Sequence, residues 1–211
     1  MREYHKIETL YERDMEGTKK LIDGKFRSTA VEYLKDNYWN FTEKIDGTNI
    51  RVHWDGHKVM FGGRTDSAQI PTTLMYALND LFLGVTNEEV FEQKFGEMEV
   101  TFYGEGYGEK IQKGGGLYRN GCGFILFDVQ VGETWLERPN VEDLAKSFNL
   151  PVVPIVLTGT IQEGVDYVKA RPKCTIAEQE KEAEGIVGRP VVEMKDRMGN
   201  RIIVKIKACD F

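Results

Sequence analysis

The chain has 211 residues, a formal net charge of −6, 41% hydrophobic residues and 29% charged residues. That is the balance of a globular protein long enough to bury a sizeable core. No apolar run approaches the ~18 to 20 residues of a membrane span, and Met1-Arg2-Glu3-Tyr4-His5-Lys6 lacks the apolar segment of a signal peptide. Cys122, Cys174 and Cys209 are too widely spaced for a zinc site or a disulfide framework, so the expected location is cytoplasmic. The negative charge argues against a protein that coats nucleic acid, but not against one that grips a few phosphates.

In chain order, residues 1–25 read as an extended start and a short turn or hairpin. Thr29 to Asn37 reads as a helix capped by Ser28, with Val31, Leu34 and Tyr38 on one face. Phe41 to Lys44 is a strand. Asn49 to Trp54 and Lys58 to Arg64 flank Asp55-Gly56, a strong hairpin signal. Ile50, Val52 and Trp54 alternate with Arg51 and His53, which predicts a half-buried strand. Helical spacing of Leu74, Leu78 and Leu81 follows Pro71, over Thr73 to Phe82, and Glu88 to Phe95 is a second short helix.

Glu97 to Tyr103 is a strand, and Gly104-Glu105-Gly106-Tyr107-Gly108 reads as a glycine-rich bend. Phe124 to Val131 is apolar enough for a central strand. Val141 to Phe148 is a helix that Pro151 closes, Val152 to Leu157 a strand, and Ile161 to Lys169 a helix. Gly185 to Arg189, Val191 to Lys195 and Arg201 to Lys207 are strands, with a turn at Arg197-Met198-Gly199-Asn200. No repeat, low-complexity tract or linker interrupts residues 1–211, so one α+β domain is expected.

Polar residues recur at the ends of apolar strands. Lys44 ends one, and Asp46-Gly47 lets the chain turn at once, beside Thr48 and Asn49. Arg64, Glu105, Asp128 and Glu184 hold similar places, and Lys205 and Lys207 share one side of a strand. A lysine near other cations loses its proton more easily and becomes a nucleophile. Each residue also has a plain structural use. Lys44 suits a surface loop, Asp128 a bulge or edge, Glu184 the end of a glutamate-rich helix, and Lys205 and Lys207 a solvated face. Glycines at 47, 104, 106 and 185 favour close approach of the backbone to a ligand. Neither a P-loop nor a dinucleotide fingerprint is present, and His5, His53 and His57 lack metal-ligand spacing. Lys195, Arg197, Arg201, Lys205 and Lys207 form a cationic run after the acidic stretch of Glu178, Glu180, Glu182 and Glu184.

Lys44-Ile45-Asp46-Gly47 resembles motif I of the covalent nucleotidyltransferases, the ATP-dependent DNA ligases, RNA ligases and capping enzymes. Its extension Glu43 to Asn49 is similar to the nick-sealing, RNA ligase 2-like enzymes, as are Gly63-Arg64-Thr65 and Ile111-Gln112-Lys113. Tyr103 to Gly108 looks like motif III, Phe124 to Val129 like motif IIIa, Glu184 to Val187 like motif IV and Val204 to Lys207 like motif V. The motifs stand in family order from about Phe41 onward.

The resemblance implies an α+β nucleotidyltransferase domain of the ATP-grasp-like ligases, with mostly antiparallel sheets flanked by helices and a nucleotide pocket between them. A single RNA ligase domain over residues 1–211 is expected; the expected absence of an oligonucleotide-binding barrel or other C-terminal domain departs from the family's pattern. Lys44, Lys205, Lys207 and Glu184 take catalytic roles in it. Glu43, Ile45, Asn49, Arg64, Glu105, Phe127 and Asp128 bind ATP or AMP, and Glu184 and Glu105 bind metal. Implied cofactors are ATP and Mg²⁺, with Mn²⁺ as a substitute. The implied partner is an RNA end or nicked duplex, with DNA as the alternative, for a monomer that does not bind membranes. Other activities in view are a minimal DNA ligase, a capping guanylyltransferase and a non-catalytic module that binds nucleotides or nucleic-acid ends.

Overall fold

The computed structural model describes residues 1–211, apart from the side chains of residues 85 and 86. The chain opens with β1 (Glu8–Thr9), β2 (Tyr11–Arg13), β3 (Leu21–Phe26) and α1 (Thr29–Tyr33), then β4 (Trp39–Lys44), β5 (Thr48–Trp54) and β6 (Val59–Gly62). Next come α2 (Thr72–Phe82), α3 (Val85–Phe95), β7 (Val100–Gly108), β8 (Cys122–Val131) and β9 (Thr134–Trp135). The last elements are α4 (Arg138–Ser147), β10 (Ile155–Gly159), α5 (Ile161–Lys169), β11 (Gly185–Pro190) and β12 (Val204–Lys207). The α+β expectation is met with sheets that are antiparallel except where β1 joins β12. Among the described residues no helix is long and apolar enough to cross a membrane.

The chain divides into two compact units. The first comprises Met1–His5, Asp46–Val153 and Ala177–Gln179. Its sheet runs β6-β5-β7-β8-β9. The two-residue alternation of β5 sends Ile50, Val52 and Trp54 to one face, where they meet Phe102, Phe124, Leu126 and Val129. Leu74, Leu78 and Phe82 of α2, Phe91 of α3 and Val141 and Ala145 of α4 cover that face.

The other face of β5 is also closed, against the half-buried expectation. Arg51 is fully buried and His53 nearly so. The N-terminal segment supplies partners on that side. Arg51 donates to the carbonyls of Met1 (3.0 Å) and Gly63 (2.7 Å), and Tyr103 donates to the carbonyl of Arg2 (3.1 Å). An alternating pattern reports which residues are polar, not whether a later-packed segment covers them.

Gly104 to Gly108 is not a bend. It is the second half of β7, paired with β8 throughout and with β5 as far as Gly106. A Cβ on Gly104 would lie 2.2 Å from the Phe124 ring, and one on Gly106 would lie 2.4 Å from Leu74. These glycines let the sheet pack closely, which a local reading takes for turn chemistry. Between Tyr103 and Gly104 the partner on β8 jumps from Asp128 to Leu126. Phe127 is therefore the extra residue of a β-bulge.

The second unit comprises Lys6–Ile45, Pro154–Ile176 and Glu180–Phe211. Its main sheet runs β1-β12-β11-β4-β10, and β2 and β3 form a separate hairpin. Trp39, Phe41, Ile186, Val204 and Ile206 pack with Ile161, Val165 and Val168 of α5. Helix α5 starts at a capping box in which the Thr160 side chain accepts from the Glu163 amide and Glu163 reaches back. Burying Trp39 and Phe41 contributes roughly 2 to 3 kcal/mol each. Partly exposed ion pairs add at most about 1 kcal/mol each. The apolar face thus fixes β4, and its polar residues need not serve stability.

Three boundaries in this unit differ from expectation. Helix α1 stops at Tyr33, and Tyr38 lies outside it, exposed. Residues 191–195 form no strand, because Val191 and Val192 find no covering layer and stay exposed. A lone bridge, Lys195 to Arg201, closes that turn, and β12 begins only at Val204. Strand β10 starts at Ile155, because Val152 bridges instead to Leu126 in the first unit.

Candidate active site

Strand β4 buries Trp39, Phe41 and Glu43 and leaves Asn40, Thr42 and Lys44 on the more open face. Gly185 of β11 pairs with Lys44 on one side and Lys207 of β12 on the other; one step along, Val187 pairs with Thr42 and Lys205. This register puts Lys44 and Lys207 in one row and Lys205 in the next. Val204 and Ile206 point into the core, so Lys205 and Lys207 share the opposite face as the alternation predicts.

Glu184, just before β11, joins the row. Its Oε2 accepts from Lys44 Nζ at 2.6 Å and its Oε1 contacts Lys207 Nζ at 2.7 Å. Its carbonyl accepts from the Ala208 amide at 2.9 Å, which anchors the residue to the end of β12. Burial works against the charged form of Lys207, but the hydrogen bond and charge of Glu184 outweigh it and raise its pKa. Lys205 has no ion-pair partner among the described residues. Burial, then the charges of Lys44 and Lys207, lower its pKa.

Glu43 is nearly fully buried. One of its carboxylate oxygens accepts from the Thr175 amide (2.9 Å) and from the Thr175 hydroxyl. Its Oε1 is buried with no hydrogen-bond partner. A buried carboxylate oxygen left in that state is costly unless a ligand donor meets it. Thr175 was not legible as a site residue, because it lies in an irregular stretch with no motif around it. Ile45 is buried.

In the first unit, Asn49 of β5 faces Glu105 of β7 directly across the ladder. Asn49 Oδ1 is a second buried acceptor without a partner. The bulge leaves the Phe127 ring half-buried and Asp128 fully buried. Asp128 accepts from the Tyr4 hydroxyl at 2.7 Å, and the Tyr4 ring stands edge-on to Phe127 with centroids 5.1 Å apart. Nothing in the sequence around Tyr4 announces this role.

The turn after Lys44 is pinned as well. The Asp46 amide donates to the Tyr118 hydroxyl (3.0 Å), and Gln112 Nε2 donates to the Gly47 carbonyl (3.0 Å). Arg64 lies beyond the end of β6, exposed, and its side chain has no hydrogen-bond or ion-pair partner among the described residues.

The glycines serve close packing of the backbone. A Cβ on Gly47 would lie 2.3 Å from the Gly106 carbonyl oxygen, and one on Gly185 would lie 2.1 Å from that of Ile206. The chain can therefore hold an ammonium cluster around one carboxylate in one unit. In the other it offers polar and aromatic groups on a rigid sheet.

Comparison with solved structures identifies the class of fold. A Naegleria gruberi RNA ligase mutant with ATP and Mn matches with a TM-score of 0.64 at 18% identity, over 85% of this chain and 52% of that one. The ligase from the same organism with pyrophosphate matches with a TM-score of 0.63 at 19% identity, over 85% of this chain and 52% of that one. The chain thus spans about half the length of these solved chains and has their fold. Among curated proteins none matches it. A family model described as RNA ligase matches residues 37–207, and the chain belongs to the RNA ligase family.

Proposed function

We propose that the chain is an ATP-dependent RNA ligase with a covalent nucleotidyltransferase domain, of the nick-sealing, RNA ligase 2-like kind. It would join a 5′-phosphate to a 3′-hydroxyl through a lysyl-AMP intermediate. The observation that carries this is the row in which Lys44 and Lys207 share the Glu184 carboxylate, with Lys205 one step away. Pure nucleotide binding needs no nucleophile in such a place.

In the first step Lys44 sheds a proton, for which Glu184 is the acceptor within hydrogen-bond reach. The freed nitrogen lone pair forms the P–N bond at the α-phosphorus while the bond to the β-phosphate oxygen breaks and pyrophosphate leaves. Lys205 and Lys207 would stabilise the charge that develops on the α-phosphate. Asn49 and Glu105 would hold the ribose, Phe127 would stack on the adenine, and Glu43 and Ile45 would line the base. Asp128, held by Tyr4, would orient basic groups, and Arg64 would engage the 5′-phosphate end. AMP then passes to the 5′-phosphate, and a 3′-hydroxyl displaces it.

Among the described residues no cluster of three or more metal-ligating side chains exists. That suits Mg²⁺, which keeps its waters and takes one or two carboxylates plus substrate phosphates. Glu184 and Glu105 are the carboxylates assigned to it, and Mn²⁺ would serve in its place. The ion would neutralise phosphate charge.

Incubation with α-labelled ATP and Mg²⁺ tests the reading. The expected result is a label that survives denaturation, is acid-labile and is absent from Lys44→Ala. A wild-type chain that takes label from no nucleotide refutes it, and label from GTP alone points to capping chemistry. Nicked RNA, nicked DNA and single-stranded ends then separate the substrates.

A further inference from the structure

The cationic run that follows the acidic stretch divides in the folded chain. Lys205 and Lys207 belong to the site above. Arg201 turns inward, its side chain 5% exposed and 3.7 Å from Glu193. Lys195 and Arg197 are left over. Both are exposed, and neither has an ion-pair partner among the described residues.

These two residues line one wall of a surface groove of about 630 Å³ within the second unit. Ser28, Thr29 and Tyr33 also line it. Asp196 also lines the groove, but its carboxylate is turned onto its own loop. It accepts from the Met198 and Asn200 amides (2.8 and 2.9 Å) and from Asn200 Nδ2 (3.1 Å). Those bonds and the Lys195 to Arg201 bridge hold the cationic loop in shape. Ser28 Oγ accepts from the Val31 amide, which leaves its hydroxyl proton for an outside acceptor. Tyr33 is 86% exposed, an uncovered aromatic lining the same groove as the two unpaired cations.

Cations that follow a phosphate backbone and an open ring that accepts a base are how single strands are held. We propose that this groove seats a single-stranded stretch of the RNA substrate, with phosphates on Lys195 and Arg197 and a base against Tyr33. The proposal rests on the RNA ligase reading and adds to it a surface used for grip alone. An acidic peptide would satisfy the cations but gain nothing from the ring.

The test measures binding of a short fluorescein-labelled single-stranded RNA with a 5′-phosphate, by anisotropy at several salt concentrations. It uses the full chain, Lys195→Ala/Arg197→Ala, Tyr33→Ala and Tyr33→Phe. Each phosphate contact to a single strand contributes about 0.7 to the slope of log K against log salt, so the double variant should lose about 1.4. Tyr33→Ala should weaken binding roughly tenfold, and Tyr33→Phe should bind as the wild type does. Unchanged affinity and slope in the double variant overturn the proposal, as does a wild-type chain that binds no RNA or prefers an acidic peptide. Labelling by α-labelled ATP, run in parallel, should be equal in all four proteins. Its loss in the wild type would strike the catalytic reading, whereas a groove failure shows only in the RNA arm.

Discussion

Lys44 and Glu184 stand 2.6 Å apart, although 140 residues separate them in the chain. The other oxygen of the same carboxylate holds Lys207 at 2.7 Å. Glu184 thus organises two ammonium groups at once. Glu184→Gln keeps the shape and removes the charge. Its two pairs are partly exposed and contribute at most about 1 kcal/mol each, so the variant should lose no more than about 2 kcal/mol and stay folded. Lysyl-AMP formation should fall by about 10²-fold or more. Near-normal labelling in a folded Glu184→Gln protein would remove Glu184 from the mechanism.

Lys205 and Lys207 should respond to pH in opposite directions. The pKa of Lys205 is lowered, first by burial and then by Lys44 and Lys207. The unfolded chain binds that proton more readily, so a charged Lys205 opposes folding at neutral pH. The penalty fades as pH rises from the folded value to the unfolded value of about 10.4. Lys205→Met should therefore raise the urea midpoint at pH 7 and converge with the wild type above about pH 10.4, while labelling collapses. The raised pKa of Lys207 has the reverse effect. Its stabilisation is full below about 10.4 and fades as pH rises through the folded value, so Lys207→Met should lower the midpoint at pH 7. Equal shifts of one sign in both variants would contradict this assignment.

Phe127 is expected to act on nucleotide affinity more than on folding, since its ring sits half-buried on a bulge and outside the core cluster. Phe127→Ala should raise the KM for ATP about tenfold, and Phe127→Trp should restore it, because stacking needs a ring and not a particular one. A Phe127→Ala chain with unchanged KM would show that the ring does not meet the base.

Gly185 allows β11 to run close beside β12 at the row that holds Lys44 and Lys207. A methyl group there would sit 2.1 Å from the Ile206 carbonyl oxygen. Gly185→Ala should cost about 1 to 3 kcal/mol through the forced backbone shift and, by moving Glu184, depress labelling beyond what the lost stability explains. A thermal melt and a labelling assay on the same sample would separate the two effects.

Much of this site is legible in the chain because strand alternation is local. The two-residue period places Lys205 and Lys207 together, and the apolar approach of Phe41 to Lys44 marks where a strand ends. The residues that were missed act at long range. Tyr4 reaches Asp128 across 124 positions, and Thr175 holds Glu43 across 132. No window of sequence contains either pair. Gly104 to Gly108 reads as a bend for a related reason, because a glycine required by Phe124 and Leu74 looks the same in sequence as one required by a turn. Arg51 and His53 are polar by sequence but buried in the fold, where Arg51 meets the Met1 carbonyl and His53 meets Thr101. Val191 to Lys195 has strand-like residues but no neighbouring layer to receive them.

The extra residue in β8 has a consequence for how this chain tolerates change. Tyr103 faces Asp128 and Gly104 faces Leu126, so a chain shorter by Phe127 alone would bring 126 and 128 into plain succession opposite their present neighbours. The ladder to β7 would keep its register on both sides of the deletion. Excision of that single codon would give a protein that closes the same sheet without the ring, which a truncating substitution cannot do as cleanly.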